Sequence, residues 1–238
     1  MVREVGGTIG ILAAMSKELN AVLTDLEGDR ATFELASRVF HRGELHGRNV
    51  VAVVAGIGKT AAATTTSLLV DHFESQAVIL TGAAGRVSED LDAGDIVVAT
   101  DLIHHDLDVS PLFPRYQVPS LGMDRLPTND TWSDQAYSAA SRFIKEERDG
   151  RKVVRGLILS GEQFVGPEEI VDLRQRFPDG LAVEMEGAAV AQVCIEHDIP
   201  YAVVRTISDA GHAGDFEHFL ANDCGPYASG IVGRMLER

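Results

Sequence analysis

Basic residues are scarce in this chain: 21 Lys and Arg stand against 36 Asp and Glu, a formal charge of −15. Such a balance argues against nucleic acid or an anionic membrane as partner. The acids are spread along the chain and read mostly as a solvated surface. Cysteine is nearly missing as well, with only Cys194 and Cys224. Two cysteines give no disulfide framework, which fits a reducing compartment and a cytoplasmic protein; Cys194 lies in an apolar stretch and reads as packed. No segment is apolar for long enough to span a bilayer, and the N-terminus MVREVGGTIG lacks the continuous apolar run of a signal peptide. There is no Pro/Ser-rich linker, low-complexity tract or internal repeat. What remains is a chain of 238 residues that fits one large α/β domain over residues 1–238.

Short apolar runs punctuated by helical patterns set the expected order of elements. Thr8 to Ala13 reads as a buried strand, followed by a helix for which Ser16 is a plausible cap and in which Glu18 occupies the first turn. Phe33 to His41 and Glu44 to His46 read as a hairpin around Arg42-Gly43. Val50 to Ala55 is a central strand. Gly56-Ile57-Gly58-Lys59-Thr60 then resembles a nucleotide loop, but Val53 stands where the Walker pattern needs glycine, so a tight turn into a helix from Lys59 to Phe73 is the better reading. Ala77 to Leu80 is another central strand, followed by a loop of small residues, Thr81 to Gly85, that lets backbone approach a ligand. Asp95 to Thr100 leads into His104-His105-Asp106-Leu107-Asp108-Val109. No paired His/Cys spacing accompanies these residues, and no metal is expected there. Asp130 to Glu147 is an amphipathic helix, Trp132 reads as packing, and Val153 to Ser160 is a strand followed by a loop that carries Phe164. Phe216 and Phe219 open the last helix.

The informative stretch is Ala182 to Gly211. Leu181 to Val183 is a strand ending in Glu184-Met185-Glu186, Gly187 to Glu196 is a helix stopped by Pro200, and Tyr201 to Val204 is a strand ending in Arg205-Thr206-Ile207-Ser208-Asp209. Two parallel strands joined by a helix would put Glu186 and Asp209 at the carboxyl edge of the sheet, where open α/β sheets bind ligands.

The blocks VEMEGAAVAQVC, IPYAVVRTISDAG, IGILAAMSKEL, AGIGKTAAA, TGAAGRVSEDLDAGDIVVA, HHDLDV and LILSGEQFVG resemble the 5′-methylthioadenosine/S-adenosylhomocysteine nucleosidases of the purine nucleoside phosphorylase superfamily. They lie in the family's order and cover nearly the whole chain. The resemblance implies a three-layer α/β fold, a mixed central sheet flanked by helices, in a homodimer. It implies hydrolysis of an N-glycosidic bond, with the nucleoside and water as substrates and no cofactor.

Residue by residue, the resemblance makes Asp209, held by Ser208, the acid that protonates the leaving adenine. Glu186 grips the ribose hydroxyls, and Glu18 takes a proton from the attacking water; without the resemblance, Glu18 reads only as a helix-dipole partner. Phe164 stacks on the base and the Val165 backbone reads its edge. Ala84 and Gly85 line ribose and base, while Met15, Met185 and Ile57 flank the sugar and thioether. Phe216 closes over the sugar, Arg205 orients Glu186 or Glu18, and Val109 is supplied by the partner subunit. Three positions depart from relatives or discriminate among them. Leu80 stands where phosphorylases carry arginine, Ala83 where many nucleosidases have serine, and Glu162 where aspartate is usual. The alternatives are an aminofutalosine nucleosidase, a purine nucleoside phosphorylase, and a non-catalytic nucleoside-binding module.

Overall fold

Alternation along the apolar strands decides the architecture. In a computed structural model that describes residues 7–147 and 150–237, strand β1 (Ile9–Ala13) sends Leu12 to one face of the sheet and Ile9, Ile11 and Ala13 to the other. The remaining elements are α1 (Ser16–Thr24), β2 (Glu27–Leu35), β3 (Arg38–Leu45), β4 (Arg48–Val54), α2 (Lys59–Asp71), β5 (Ala77–Arg86), β6 (Ile96–His104), β7 (Leu126–Pro127), α3 (Asp130–Glu147), β8 (Val153–Ser160), α4 (Pro167–Arg176), β9 (Gly180–Glu184), α5 (Gly187–Glu196), β10 (Tyr201–Asp209), α6 (Ala213–Asn222) and α7 (Cys224–Leu236). Strands β5 and β10 alternate in the same way, with Val78, Leu80, Tyr201 and Val203 on one face and Ala77, Ile79, Ala202 and Val204 on the other. Both faces are apolar, so both must be covered. Helices α2 and α5 bury the first face, and α1, α3 and α7 the second. The result is three layers around a mixed sheet. The first six residues, on which the absence of a signal segment was partly read, lie outside the described residues.

The sheet order is β10-β6-β8-β9-β5-β1-β4-β3-β2, and β5 also pairs with β10. Through these pairings β5, β10, β6, β8 and β9 close on themselves. This corrects the expected βαβ unit. Strand β10 runs parallel to β5, whereas β9 meets β5 antiparallel through Gly85↔Val183 and Arg86↔Ala182. So β9 and β10 are neither adjacent nor parallel. Their carboxyl ends still converge, because the last two residues of β5 pair with the carboxyl end of β9 while β10 flanks the same residues.

Gly82 lies within β5, close against Glu18 and Arg205. Its φ is +151°, and a Cβ there would lie 2.4 Å from Arg205 Nη1 and 2.6 Å from Glu18 Oε1. The small residues Thr81 to Gly85, expected as a loop, form the second half of β5, paired along β10.

Other boundaries also moved. The β2–β3 hairpin turns at Ala36 and Ser37, both at positive φ, and Gly43 sits inside β3 opposite Val50; glycine drew the expected turn to the wrong place. Met15, not Ser16, is the N-cap of α1. Glu18 reaches back to accept the Met15 N–H at 2.8 Å, so a hydroxyl cap is not needed. Phe216 and Phe219 belong to α6, and a further helix, α7, follows.

Candidate active site

The converging strand ends enclose a cavity of about 300 Å³, at the small end of the range for ligand sites. Its walls include Met15, Glu18, Ile57, Ala84, Gly85, Phe164, Val165, Met185, Glu186, Asp209 and Phe216, all singled out from the sequence. Arg205 and Ser208 stand behind this wall. Val109 is half-buried and does not face the cavity of its own chain. Ala14, Ala83, Gln163, Val183 and Glu184 also line it, none of them with a role assigned from the sequence.

Glu184 is the consequential omission. It ends β9, and both of its oxygens accept the Gly187 N–H, at 2.9 and 2.8 Å, where α5 begins. A carboxylate at a helix N-terminus is favoured by the helix dipole. Glu184 also accepts the Glu186 N–H at 3.1 Å and the Ser160 hydroxyl, and pairs with the Arg205 guanidinium. The signal was present as Glu-Met-Glu after a strand. Its meaning depended on Arg205, which β10 carries into the same buried layer.

Arg205 is 1% exposed and holds Glu184 and, at 3.1 Å, Glu186 Oε2. Burial opposes its charge, but Glu184, Glu186 and Glu18 together more than offset that, raising its pKa. Glu186 Oε1 accepts the Gly58 N–H at 2.8 Å. Burial raises its carboxyl from 4.5 to about 7, against the attraction of Arg205 and helped by repulsion from Glu184.

Glu18 is fully buried. Its Oε1 accepts the Ala83 N–H at 2.9 Å and its Oε2 the Met15 N–H. Burial raises its pKa too, against the opposing pull of Arg205 and these backbone donors. Asp209 Oδ2 takes the Ser208 hydroxyl and Oδ1 the Gly211 N–H, both at 2.6 Å. The rings of Phe164 and Phe216 meet edge to face at 5.7 Å across the mouth.

Among the residues lining this cavity are four carboxylates and no Lys or Arg. The one guanidinium behind them is already engaged by two carboxylates. The site is therefore suited to stabilising developing positive charge and unsuited to holding an anion.

The raised carboxyl of Glu186 has a consequence for stability. Its folded form keeps a proton that the unfolded chain gives up, so its contribution is fully present below pH 4.5 and is lost as pH rises through about 7. Carboxylates held low by partners, such as Asp179 hydrogen-bonded to Arg125, act with the opposite sign. The comparison that isolates Glu186 is therefore wild type against Glu186→Gln. Between pH 5 and pH 8 the wild type should lose more of its urea-unfolding free energy than the mutant. Parallel pH dependences would contradict this.

Residues 8–237 match the family described as the Phosphorylase superfamily. The chain is 38% identical over 234 residues, 96% of its length and 98% of the relative's, to a 5′-methylthioadenosine/S-adenosylhomocysteine nucleosidase of Actinobacillus succinogenes. In three dimensions it resembles the nucleosidase of that name from Neisseria meningitidis bound to methylthio-immucillin-A, with TM-score 0.89 and 31% identity over 97% of this chain and 98% of that one. It also resembles a futalosine hydrolase of Helicobacter pylori, with TM-score 0.85 and 31% identity over 96% and 97% of the two chains.

Proposed function

The chain belongs to the phosphorylase superfamily, and on that premise we propose that it hydrolyses the N-glycosidic bond of 5′-methylthioadenosine and S-adenosylhomocysteine, releasing adenine and the thioribose. The observation that carries this reading is the anionic wall. A phosphorylase must hold phosphate beside the sugar, and like charges at close range cost several kcal/mol unless screened. Here Glu18 lies in the first turn of α1, Leu80 stands in place of a strand arginine, and Arg205 is engaged by Glu184 and Glu186.

In this mechanism water attacks the anomeric carbon as its bond to the base breaks. The bonding electron pair leaves with adenine, and Asp209 delivers a proton to a ring nitrogen. Glu18 accepts the proton that the water loses. The sugar becomes oxocarbenium-like, and the carboxylate of Glu186, which also holds the ribose hydroxyls, offsets its charge. Phe164 covers the base face, while Met15, Met185 and Ile57 surround the thioether end. Because this role of Glu186 needs its ionised form, kcat/KM should rise with pH over the window in which Glu186 costs stability.

Incubation with methylthioadenosine, with and without phosphate, tests the reaction class. Adenine should appear at the same rate in both; formation of sugar phosphate would replace hydrolysis by phosphorolysis. Preference among 5′ groups is a separate matter, and the methylthio and homocysteinyl substrates follow here from the nucleosidase relatives.

The working form is read as a homodimer in which Val109 of the partner subunit, with the segment through Phe113, covers the 5′ side of each cavity. Leu112 and Phe113 are exposed apolar residues next to it, and burying them supports such an interface. Leu112→Glu should shift sedimentation toward monomer and raise KM. A monomeric wild type with full activity would end this reading. Location in the cytoplasm is consistent with two buried free thiols and is testable by cell fractionation.

A further inference from the structure

The GIGK turn and the HHD segment, both conspicuous in the sequence, supply two residues that no catalytic role absorbs. The Lys59 N–H donates to Glu162 Oε1 at 3.0 Å, the Glu162 N–H donates to Asp106 Oδ2 at 2.9 Å, and Lys59 Nζ donates to Asp106 Oδ1 at 2.6 Å. Three residues from the turns after β4, β6 and β8 thus close a hydrogen-bonded ring.

We propose that Lys59, Asp106 and Glu162 are positioning residues that fix the separation of the two lips of the cavity and thereby set affinity for the nucleoside. The proposal rests on reading this cavity as the nucleoside site.

The lips are Ile57, two residues before Lys59, and Phe164, two residues after Glu162. Ile57 is 59% exposed and Phe164 50%. Neither has enough core packing to hold it, so placement must come from the backbone of its turn. Sheet pairing secures only part of this. Strands β6 and β8 run side by side as far as His104↔Ser160, and so deliver Asp106 and Glu162 together. Strand β4 pairs with β1 and β3 and has no ladder to either. The ring therefore joins the Ile57 turn to the other two.

Close packing supports the tie. A Cβ on Gly58, whose φ is +96°, would lie 2.6 Å from Glu162 Oε2. One on Gly161 would lie 2.2 Å from His105 Nε2. Burial pushes the Asp106 carboxyl up, but the Lys59 hydrogen bond and the Glu162 N–H together hold it below the usual range. Exposed ion pairs add little to global stability. The effect should therefore appear in substrate binding.

The experiment uses the full chain with methylthioadenosine and the variants Lys59→Met, Asp106→Asn and the double mutant. Each single change should raise KM by about fivefold, and the double mutant should be no worse than either, as expected for partners in one interaction. Wild-type KM should also rise with ionic strength more steeply than that of Lys59→Met. The proposal is overturned if KM is unchanged, if the double mutant shows the product of the single effects, or if only the melting temperature or kcat falls. Absence of adenine release from wild type would instead overturn the nucleosidase reading. The ring would then be judged by the same comparison in calorimetric binding of methylthioadenosine, with unchanged Kd counting against it.

Discussion

Asp209→Asn is expected to lower kcat by about 10²–10⁴-fold while fold and nucleoside binding persist. The structure shows how asparagine can be accommodated. Its amide oxygen can accept the Gly211 N–H that Asp209 Oδ1 now takes. Its NH₂ would face Ser208 Oγ, which can turn its hydroxyl to the Ala84 carbonyl 3.1 Å away and accept from the amide. Shape and hydrogen bonds are kept, and only the transferable proton is lost. A carboxyl whose role was to brace the chain between Ser208 and Gly211 would give a variant with near-normal turnover. The measurement is single-turnover adenine release together with equilibrium binding of methylthioadenosine. Retention of more than roughly a tenth of wild-type kcat would be far too small a loss for a general acid and would remove Asp209 from that role.

Glu18→Gln should abolish most hydrolysis without creating phosphorolysis, with a loss in kcat also of about 10²–10⁴-fold. From sequence, the competing role for Glu18 is helix-dipole compensation, which contributes about 0.3–1 kcal/mol. The structure changes that comparison. Both Glu18 oxygens accept backbone N–H groups, a buried one from Ala83 and a part-buried one from Met15, and glutamine has one oxygen for the two. One donor would face the amide NH₂ unsatisfied, at a cost of about 1–3 kcal/mol. A lowered melting temperature is thus expected whether or not Glu18 activates water, and kinetics alone distinguishes the roles. Turnover measured well below the variant's melting temperature decides it: a near-normal kcat would mean that Glu18 serves the Met15 turn and β5 rather than the reaction. Burial raises the Glu18 carboxyl above the usual carboxylate range, against Arg205 and its backbone donors, which makes it a stronger base than an exposed carboxylate.

Apolar strand runs and helical periodicity were enough to locate α3 at Asp130–Glu147, β8 at Val153–Ser160 and α5 at Gly187–Glu196, because burial on a face imposes a local period that the chain itself records. Most cavity residues were legible for a related reason. They sit where a strand ends and a helix starts, and runs such as Ala13-Ala14-Met15 or Glu184-Met185-Glu186 mark those joints. Local pattern could not show how the joints meet. Glu186 and Asp209 were placed together on the premise of a parallel βαβ unit. In fact β9 and β10 run oppositely, and their carboxyl ends converge because both pair with the last residues of β5. The role of Glu184 was hidden for the same reason, since its partners Ser160 and Arg205 come from β8 and β10. Hydrogen bonds between distant strands leave no period in the sequence. Residue type determined which groups are available for chemistry; closure of the sheet decided which of them face one another.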